Sequence, residues 1–226
     1  TLSIKFADQK NQNITASISQ LDNTKIEKFS FRNKKEINKA ISTINKKKFS
    51  ITDISSKVIN RNPSGPFTTS TLQQTASSRL GFGASRTMQI AQKLYQGIEI
   101  EGETIGLITY MRTDGTNLSK DAISTFRDYI KDEIGNEYLP QIALNYSGKK
   151  AKNAQEAHEA IRPTDIIRSP QSVKKYLSPD QNKLYDLIWS RALSSQMESA
   201  KFDRNTITIT SDNNDTICKA SGSVLK

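Results

Sequence analysis

The pattern of apolar and polar positions changes its period twice along the 226 residues. Residues 2–6 (LSIKF) and 14–20 (ITASISQ) alternate, the code of a strand with one face in a core. Residues 35–44 repeat at helical spacing instead, with Ile37, Ala40, Ile41 and Ile44 on one side. Alternation returns over 49–60 (FSITDISSKVIN). The run Asn62-Pro63-Ser64-Gly65-Pro66 then breaks every regular pattern, which places a domain boundary there.

Helical periods follow. Residues 68–80 (TTSTLQQTASSRL) predict one helix, stopped by Gly81-Phe82-Gly83. A second runs from a Ser85 cap to about Gln96, with Thr87, Met88, Ala91, Leu94 and Tyr95 inward. Residues 104–110 (TIGLITY) read as a short strand. Ser119 caps a long helix whose stripe is Ile123, Phe126, Ile130 and Ile134, with Gly135 as its stop. Residues 153–162 predict a helix closed before Pro163. Ser178-Pro179 opens a last one, in which Leu184, Leu187, Ile188 and Ala192 share a face. Tyr95, Tyr129, Tyr185 and Trp189 sit at helical spacings that suit a core. From Lys201 the strand code resumes, with Ile207 and Ile209 alternating against threonines. The order is strands, helices, strands, and its economical reading is an α+β, multi-domain chain with a helical domain inserted into a β domain. Ending on GSVLK, inside a strand-like stretch, the sequence is expected to be a segment of a longer protein.

Composition narrows the function classes. The formal net charge is +10, with 33 Lys and Arg against 23 Asp and Glu. Residues 1–65 carry 13 of those cations and only 5 of the anions. A basic end invites an anionic partner, nucleic acid first, although Lys46, Lys47 and Lys48 equally suit a solvated turn. One cysteine, Cys218, excludes an internal disulfide framework, and one histidine excludes a multi-His zinc site. No apolar run approaches the ~20 residues of a membrane helix, and mean hydropathy is −0.61. A cytoplasmic location is expected. No GxxxxGK[ST] stretch, GxSxG elbow or tight acidic cluster is present.

What remains is Gly106-Leu-Ile-Thr-Tyr110-Met-Arg112-Thr113-Asp114. In an extended segment, period two puts Tyr110 and Arg112 on the same side. A phenol is a poor nucleophile at its ordinary pKa of about 10. A neighbouring guanidinium can brace the oxygens of an attacked phosphate. Asp114 is placed to fix the Arg112 fork by an ion pair. The same spacing also suits a tyrosine that ends a core strand with surface charges after it. In residues 155–162, helical projection puts Gln155, His158, Glu159 and Arg162 on one polar face. His158 is then a phosphate ligand or a lone surface histidine. The hydroxyl run Thr68 to Thr71 offers caps or an anion site, and Ser85-Arg86 a weaker one.

The stretches PFTTSTLQQTASSRLGFGASRTMQIAQKLY, GLITYMRTDGTNLS and QEAHEAIRPTD, in that order, resemble the central part of the bacterial DNA topoisomerase I family, the type IA enzymes. The resemblance covers about residues 63–165; residues 189–203 and the basic N-terminal strands are similar more loosely. It implies that Tyr110 attacks single-stranded DNA to give a 5′-phosphotyrosine, that a second strand passes through the break, and that rejoining relaxes negative supercoils without ATP. It implies that Arg112 stabilises the phosphate and that His158 supports the same site. Thr113, Asp114, Arg162 and Arg86 are the further candidate DNA contacts. By the same resemblance, residues 1–65 with 199–226 form a β-rich arch or hinge domain, and residues 66–198 the helical domain that carries the tyrosine. The Mg²⁺ site, its acidic ligands and the DNA-gripping domain would lie elsewhere in the same longer chain, so the segment alone is expected to be inactive. Partners would be single-stranded or negatively supercoiled DNA in the nucleoid. Gly115 stands where the family usually has Ser. A non-catalytic DNA-binding module and, more remotely, a tyrosine recombinase are the alternative readings.

Overall fold

The computed structural model describes residues 2–7, 12–146 and 159–226. Backbone contacts divide the chain into two compact units, Thr1–Arg61 with Ala200–Lys226, and Asn62–Ser199. The first unit begins with β1 (Ser3–Ala7), β2 (Asn13–Leu21), β3 (Thr24–Lys25), α1 (Lys34–Ile44) and β4 (Phe49–Arg61). The second holds α2 (Thr69–Leu80), α3 (Ala84–Gln96), β5 (Ile98–Ile100), β6 (Glu103–Ile105), α4 (Lys120–Tyr129), α5 (Pro170–Val173) and α6 (Pro179–Ser194). Strands β7 (Ala200–Ser211) and β8 (Ile217–Leu225) complete the first.

In the first unit the sheet order is β1-β2-β8-β7-β4, antiparallel throughout, with β3 paired to the end of β2. Alternation puts Ala16, Ile18, Ile209, Cys218 and Ala220 on the face that meets Ala40 and Ile44 of α1. Helix α1 starts where the Asn33 side chain accepts from the Glu36 N–H (3.0 Å) and Glu36 reaches back to the Arg32 N–H (2.8 Å). Cys218 is fully buried, and burial pushes its thiol up to about 11. Strand β4 departs from its half-buried expectation: Ile51, Ile54 and Val58 are all exposed, Ile54 at 67 %. As the last strand of the sheet, β4 continues past the core that α1 covers, and only Phe49 of its apolar side chains packs on that core.

Three turns of this unit are tied together by one lysine. Lys47 Nζ donates to Asp22 Oδ1 (2.5 Å), Asp215 Oδ1 (2.6 Å) and Thr216 Oγ1 (2.8 Å), and Ser211 Oγ donates to the same Asp215 oxygen (2.8 Å). Lys47 is therefore committed inside the fold, while Lys46 and Lys48 stay exposed.

The second unit is helical, as its periods predict, with three adjustments. The helix start at Ser85 is replaced by one in which Gly83 occupies the cap position of α3 and no side chain caps it. The long helix after Ser119 is α-helical only to Tyr129; residues 130–134 widen into one π-turn, and Gly135 closes it at φ +140°. The segment before Pro163 is not helical where it is described: residues 159–162 are extended, and Ile161 pairs with Phe67. Pre-proline sterics disfavour the helix at Arg162, and burying Ile161 in the core outweighs the alanine-rich propensity. The rest of that predicted helix lies outside the described residues. Helix α2 is capped by a Thr68–Thr71 box and ends on Gly81 at φ +69°; α6 begins on a Ser178–Gln181 box with Pro179 in its first turn. Leu72, Ala91, Leu94, Leu184, Tyr185 and Ile188 build the main core between α2, α3 and α6. The Pro/Gly segment belongs to this unit, because Arg191 Nε donates to the Gly65 carbonyl (2.6 Å) and Tyr146 to that of Pro63 (3.1 Å).

Hydrogen bonds from Lys47, Ser211 and Thr216 hold the Asp215 carboxyl down to about 2, below the ~3.9 of an unfolded aspartate. A depressed carboxylate contributes stability that is complete above about pH 4 and disappears as pH falls through about 2. Circular-dichroism melts between pH 5 and pH 2 should therefore show Asp215→Asn losing less stability on acidification than the wild type. Equal losses in the two proteins would contradict this.

Candidate active site

Two segments that are neither helix nor ladder, 106–113 and 160–164, are woven together in the second unit with residues 67–69 at the start of α2. Strand β6 ends at Ile105, short of the predicted strand, because the chain there turns onto the end of α3. The Leu107 N–H donates to Leu94 O (2.7 Å), and Gly106 packs so close that a Cβ on it would lie 2.6 Å from Tyr95 O. Beyond it the segment pairs with the stretch before and after Pro163. Thr109 N–H donates to Arg162 O (2.9 Å), Thr164 N–H to Leu107 O (3.0 Å), and Ile108 bridges Pro163. The Thr109 hydroxyl donates to Ala160 O (2.7 Å) and accepts from the Arg162 N–H (3.0 Å). On the other side stands α2: Thr69 N–H donates to Thr113 O (2.9 Å), and the Thr69 hydroxyl meets Met111 O (2.8 Å), Thr113 O (3.0 Å) and the Thr113 N–H (2.8 Å).

Held in this way, residues 110–114 alternate in exposure. Met111 and Thr113 are buried; Tyr110, Arg112 and Asp114 face outward. Tyr110 and Arg112 are thus on one side, as the spacing predicts. Tyr110 is 44 % exposed, and its hydroxyl has no hydrogen-bond partner among the described residues. Its ring meets that of Tyr95 edge-on, with centroids 5.3 Å apart. Tyr95 is consequently not the core residue its helical spacing suggested; Tyr185 is, fully buried and donating to Arg168 O (2.7 Å). Tyr129 and Trp189 pack edge-on against each other, partly buried.

The candidate cations divide sharply. Arg112 makes no ion pair with Asp114 or with any other described residue, which corrects the ion pair expected from the sequence. It lines a groove of about 760 Å³ along the outward face of α3, with Arg86, Gln89, Gln92, Lys93 and Gln96. Arg86 is half neutralised: it pairs with Asp180 (2.5 Å) and stacks on Phe82 (4.5 Å). Arg162 is engaged within the chain. Its Nε and Nη2 bind Glu159 (2.7 and 2.9 Å), and Nη1 donates to Pro163 O (2.8 Å). Burial alone would raise the Glu159 carboxyl, but Arg162 and the Ser119 N–H outweigh it and hold it below the usual range. Thr113 is buried in the weave, and its hydroxyl accepts from the Gly115 N–H (2.9 Å). His158 lies outside the described residues. Among the described residues no three His, Cys, Asp or Glu side chains come together as a metal site, and the nearby Glu159 is committed to Arg162. No helix among the described residues is long and apolar enough to cross a membrane.

Three contributors escaped the periodic reading: Thr69, Thr109 and Gly106. The hydroxyl run at 68–71 carried the first signal, but which hydroxyl turns back onto residues 111–113 depends on a partner more than forty positions away. Gly106 gives a direct check on the weave. A methyl there meets the backbone oxygen of α3, which cannot rotate aside, so Gly106→Ala should destabilise this unit by about 1–3 kcal/mol in urea denaturation. A wild-type midpoint would show that the close approach is slack.

Comparison with known proteins gives this arrangement its family. The family model described as DNA topoisomerase matches residues 1–226. DNA topoisomerase 1 of Rickettsia prowazekii is 46 % identical over 224 residues, which cover 99 % of this chain and 29 % of the relative. That of Haemophilus influenzae is 45 % identical over 216 residues, 96 % of this chain and 23 % of the relative. A solved structure of full-length topoisomerase I from Thermotoga maritima superposes with a TM-score of 0.70 at 32 % identity, covering 100 % of this chain and 35 % of that one. The chain thus spans less than a third of the length of these curated relatives. It belongs to the bacterial type IA DNA topoisomerase family.

Proposed function

We propose that this chain carries the nucleophile of a type IA topoisomerase and half of its cleavage site. The observation that carries the proposal is the outward pair Tyr110 and Arg112, projected to one side of a segment anchored by hydrogen bonds at Thr109, Met111 and Thr113. The Tyr110 oxygen attacks a phosphodiester of single-stranded DNA. The bond from phosphorus to the 3′ oxygen breaks, the tyrosine keeps the 5′ phosphate, and the departing oxygen takes a proton as a 3′ hydroxyl. After a second strand has passed, that hydroxyl attacks the phosphotyrosine and restores the original bond. One phosphoester is exchanged for another at each step, so relaxation of negative supercoils needs no nucleotide. Arg112, which has no carboxylate partner among the described residues, braces the phosphate oxygens as charge builds on them. His158 supports the same phosphate. The groove along α3, with Arg112, Lys93 and Arg86, suits the adjoining strand.

In this reading the first unit is a β-rich arch, and the tyrosine-bearing unit works against metal-binding and DNA-gripping domains outside this segment. Mg²⁺ is held there too, and the enzyme acts on the nucleoid in the cytoplasm. A tyrosine recombinase is disfavoured, since it needs a second free arginine, and Arg162 and Arg86 are both paired with carboxylates.

End-labelled single-stranded oligonucleotide, Mg²⁺ and the full-length protein, quenched with denaturant, should leave a covalently labelled protein band. Tyr110→Phe and this segment alone should leave none. A band with Tyr110→Phe, or relaxation of plasmid by the segment alone, would overturn the proposal.

A further inference from the structure

We infer that Thr69 is a positioning residue for the tyrosine, acting with Thr109 as a two-sided clamp on residues 109–113. The inference rests on the topoisomerase reading of Tyr110. Thr69 occupies the first position of α2, yet the helix does not need its hydroxyl. Thr68 caps α2, accepting from the Thr71 N–H, while the Thr71 side chain closes the box on the Thr68 N–H. Thr69 spends its hydroxyl elsewhere. It lies within hydrogen-bond distance of the carbonyls of Met111 and Thr113 and accepts the Thr113 N–H, and its own N–H donates back to Thr113 O. One hydroxyl thus satisfies backbone groups on both sides of Arg112.

Thr109 does the same on the other side of Tyr110. It donates to Ala160 O, accepts the Arg162 N–H, and donates its own N–H to Arg162 O. The residues that project outward lie between the two anchors, Tyr110 directly after Thr109 and Arg112 directly before Thr113. Both hydroxyls are engaged by backbone groups of the protein. Their effect is to fix the backbone dihedrals from which Tyr110 and Arg112 project. In-line attack depends on that geometry, and a displacement of 1 Å can cost about 10²-fold in rate.

The test uses the full-length protein with single-stranded oligonucleotide and Mg²⁺. It reads two quantities: affinity, from fluorescence anisotropy, and the single-turnover rate of covalent adduct formation at saturating DNA. Thr69→Val keeps shape but removes the hydroxyl, and should slow adduct formation by about 10²-fold with affinity unchanged. Thr69→Ser keeps the hydroxyl and should recover most of the rate. A wild-type rate for Thr69→Val overturns the inference. So does an equally slow Thr69→Ser, which would assign the loss to packing, or a change in affinity alone. Where Thr69→Val does not fold, Thr109→Val reads the opposite jaw with the same expectation, and a wild-type rate there overturns the clamp. If the wild-type protein forms no adduct at all, the topoisomerase reading falls first and the clamp with it.

Discussion

Buried amides and carbonyls must be hydrogen-bonded, and a segment without a ladder has to find its partners one at a time. Residues 106–113 live under that constraint. They enter the core at Leu107 and Ile108 and return to it at Met111 and Thr113, so the backbone at those buried positions cannot turn to water. Their partners come from the end of α3, the start of α2 and the stretch around Pro163. The placement of those three elements follows: α3 must end where Gly106 can cross it, α2 must offer a threonine at its first position, and residues 160–164 must stay extended. A tyrosine raised on so irregular a segment is nevertheless firmly aimed, because the segment has few other ways to satisfy itself.

Charge is distributed with the same economy. A guanidinium beside a carboxylate is no longer available to a phosphate, and the chain separates its arginines on that basis. Arg162 is locked to Glu159 and so ties the loop before Pro163 to the start of α4, where Ser119 shares the same carboxylate. Arg112 has no carboxylate partner among the described residues and lines the groove along α3. In the sheet unit, Lys47 shows that a basic sequence is not a basic surface. The middle member of a lysine triplet is consumed in holding three turns together, and its neighbours carry the exposed charge.

Much of this was legible in the sequence. The alternating strands, the helices at 68–80 and after Ser178, and the shared side of Tyr110 and Arg112 follow from period, and period is a local property. The motifs around Tyr110 also carried the family resemblance. What was not legible depended on distant partners. Residues 159–162 have helical composition but take an extended form because Phe67, nearly a hundred positions earlier, pairs with Ile161. Arg162 looked like a member of a polar helix face, and that face does not exist in the described residues. Thr69 looked like one cap among four hydroxyls. Tyr95 looked internal until the end of α3 was seen to stand beside Tyr110. Each miss is a tertiary contact overriding a sound local rule.

The lone cysteine has a practical side. Cys218 sits at the centre of the sheet's core with no exposed surface, and its raised thiol pKa leaves almost no thiolate near neutral pH. Within this chain the native sulfur is therefore chemically silent towards maleimides and similar probes while the fold persists. A single cysteine introduced at an outward position would become the only labelling handle, and distance measurements by fluorescence or spin resonance could begin without first removing the natural one.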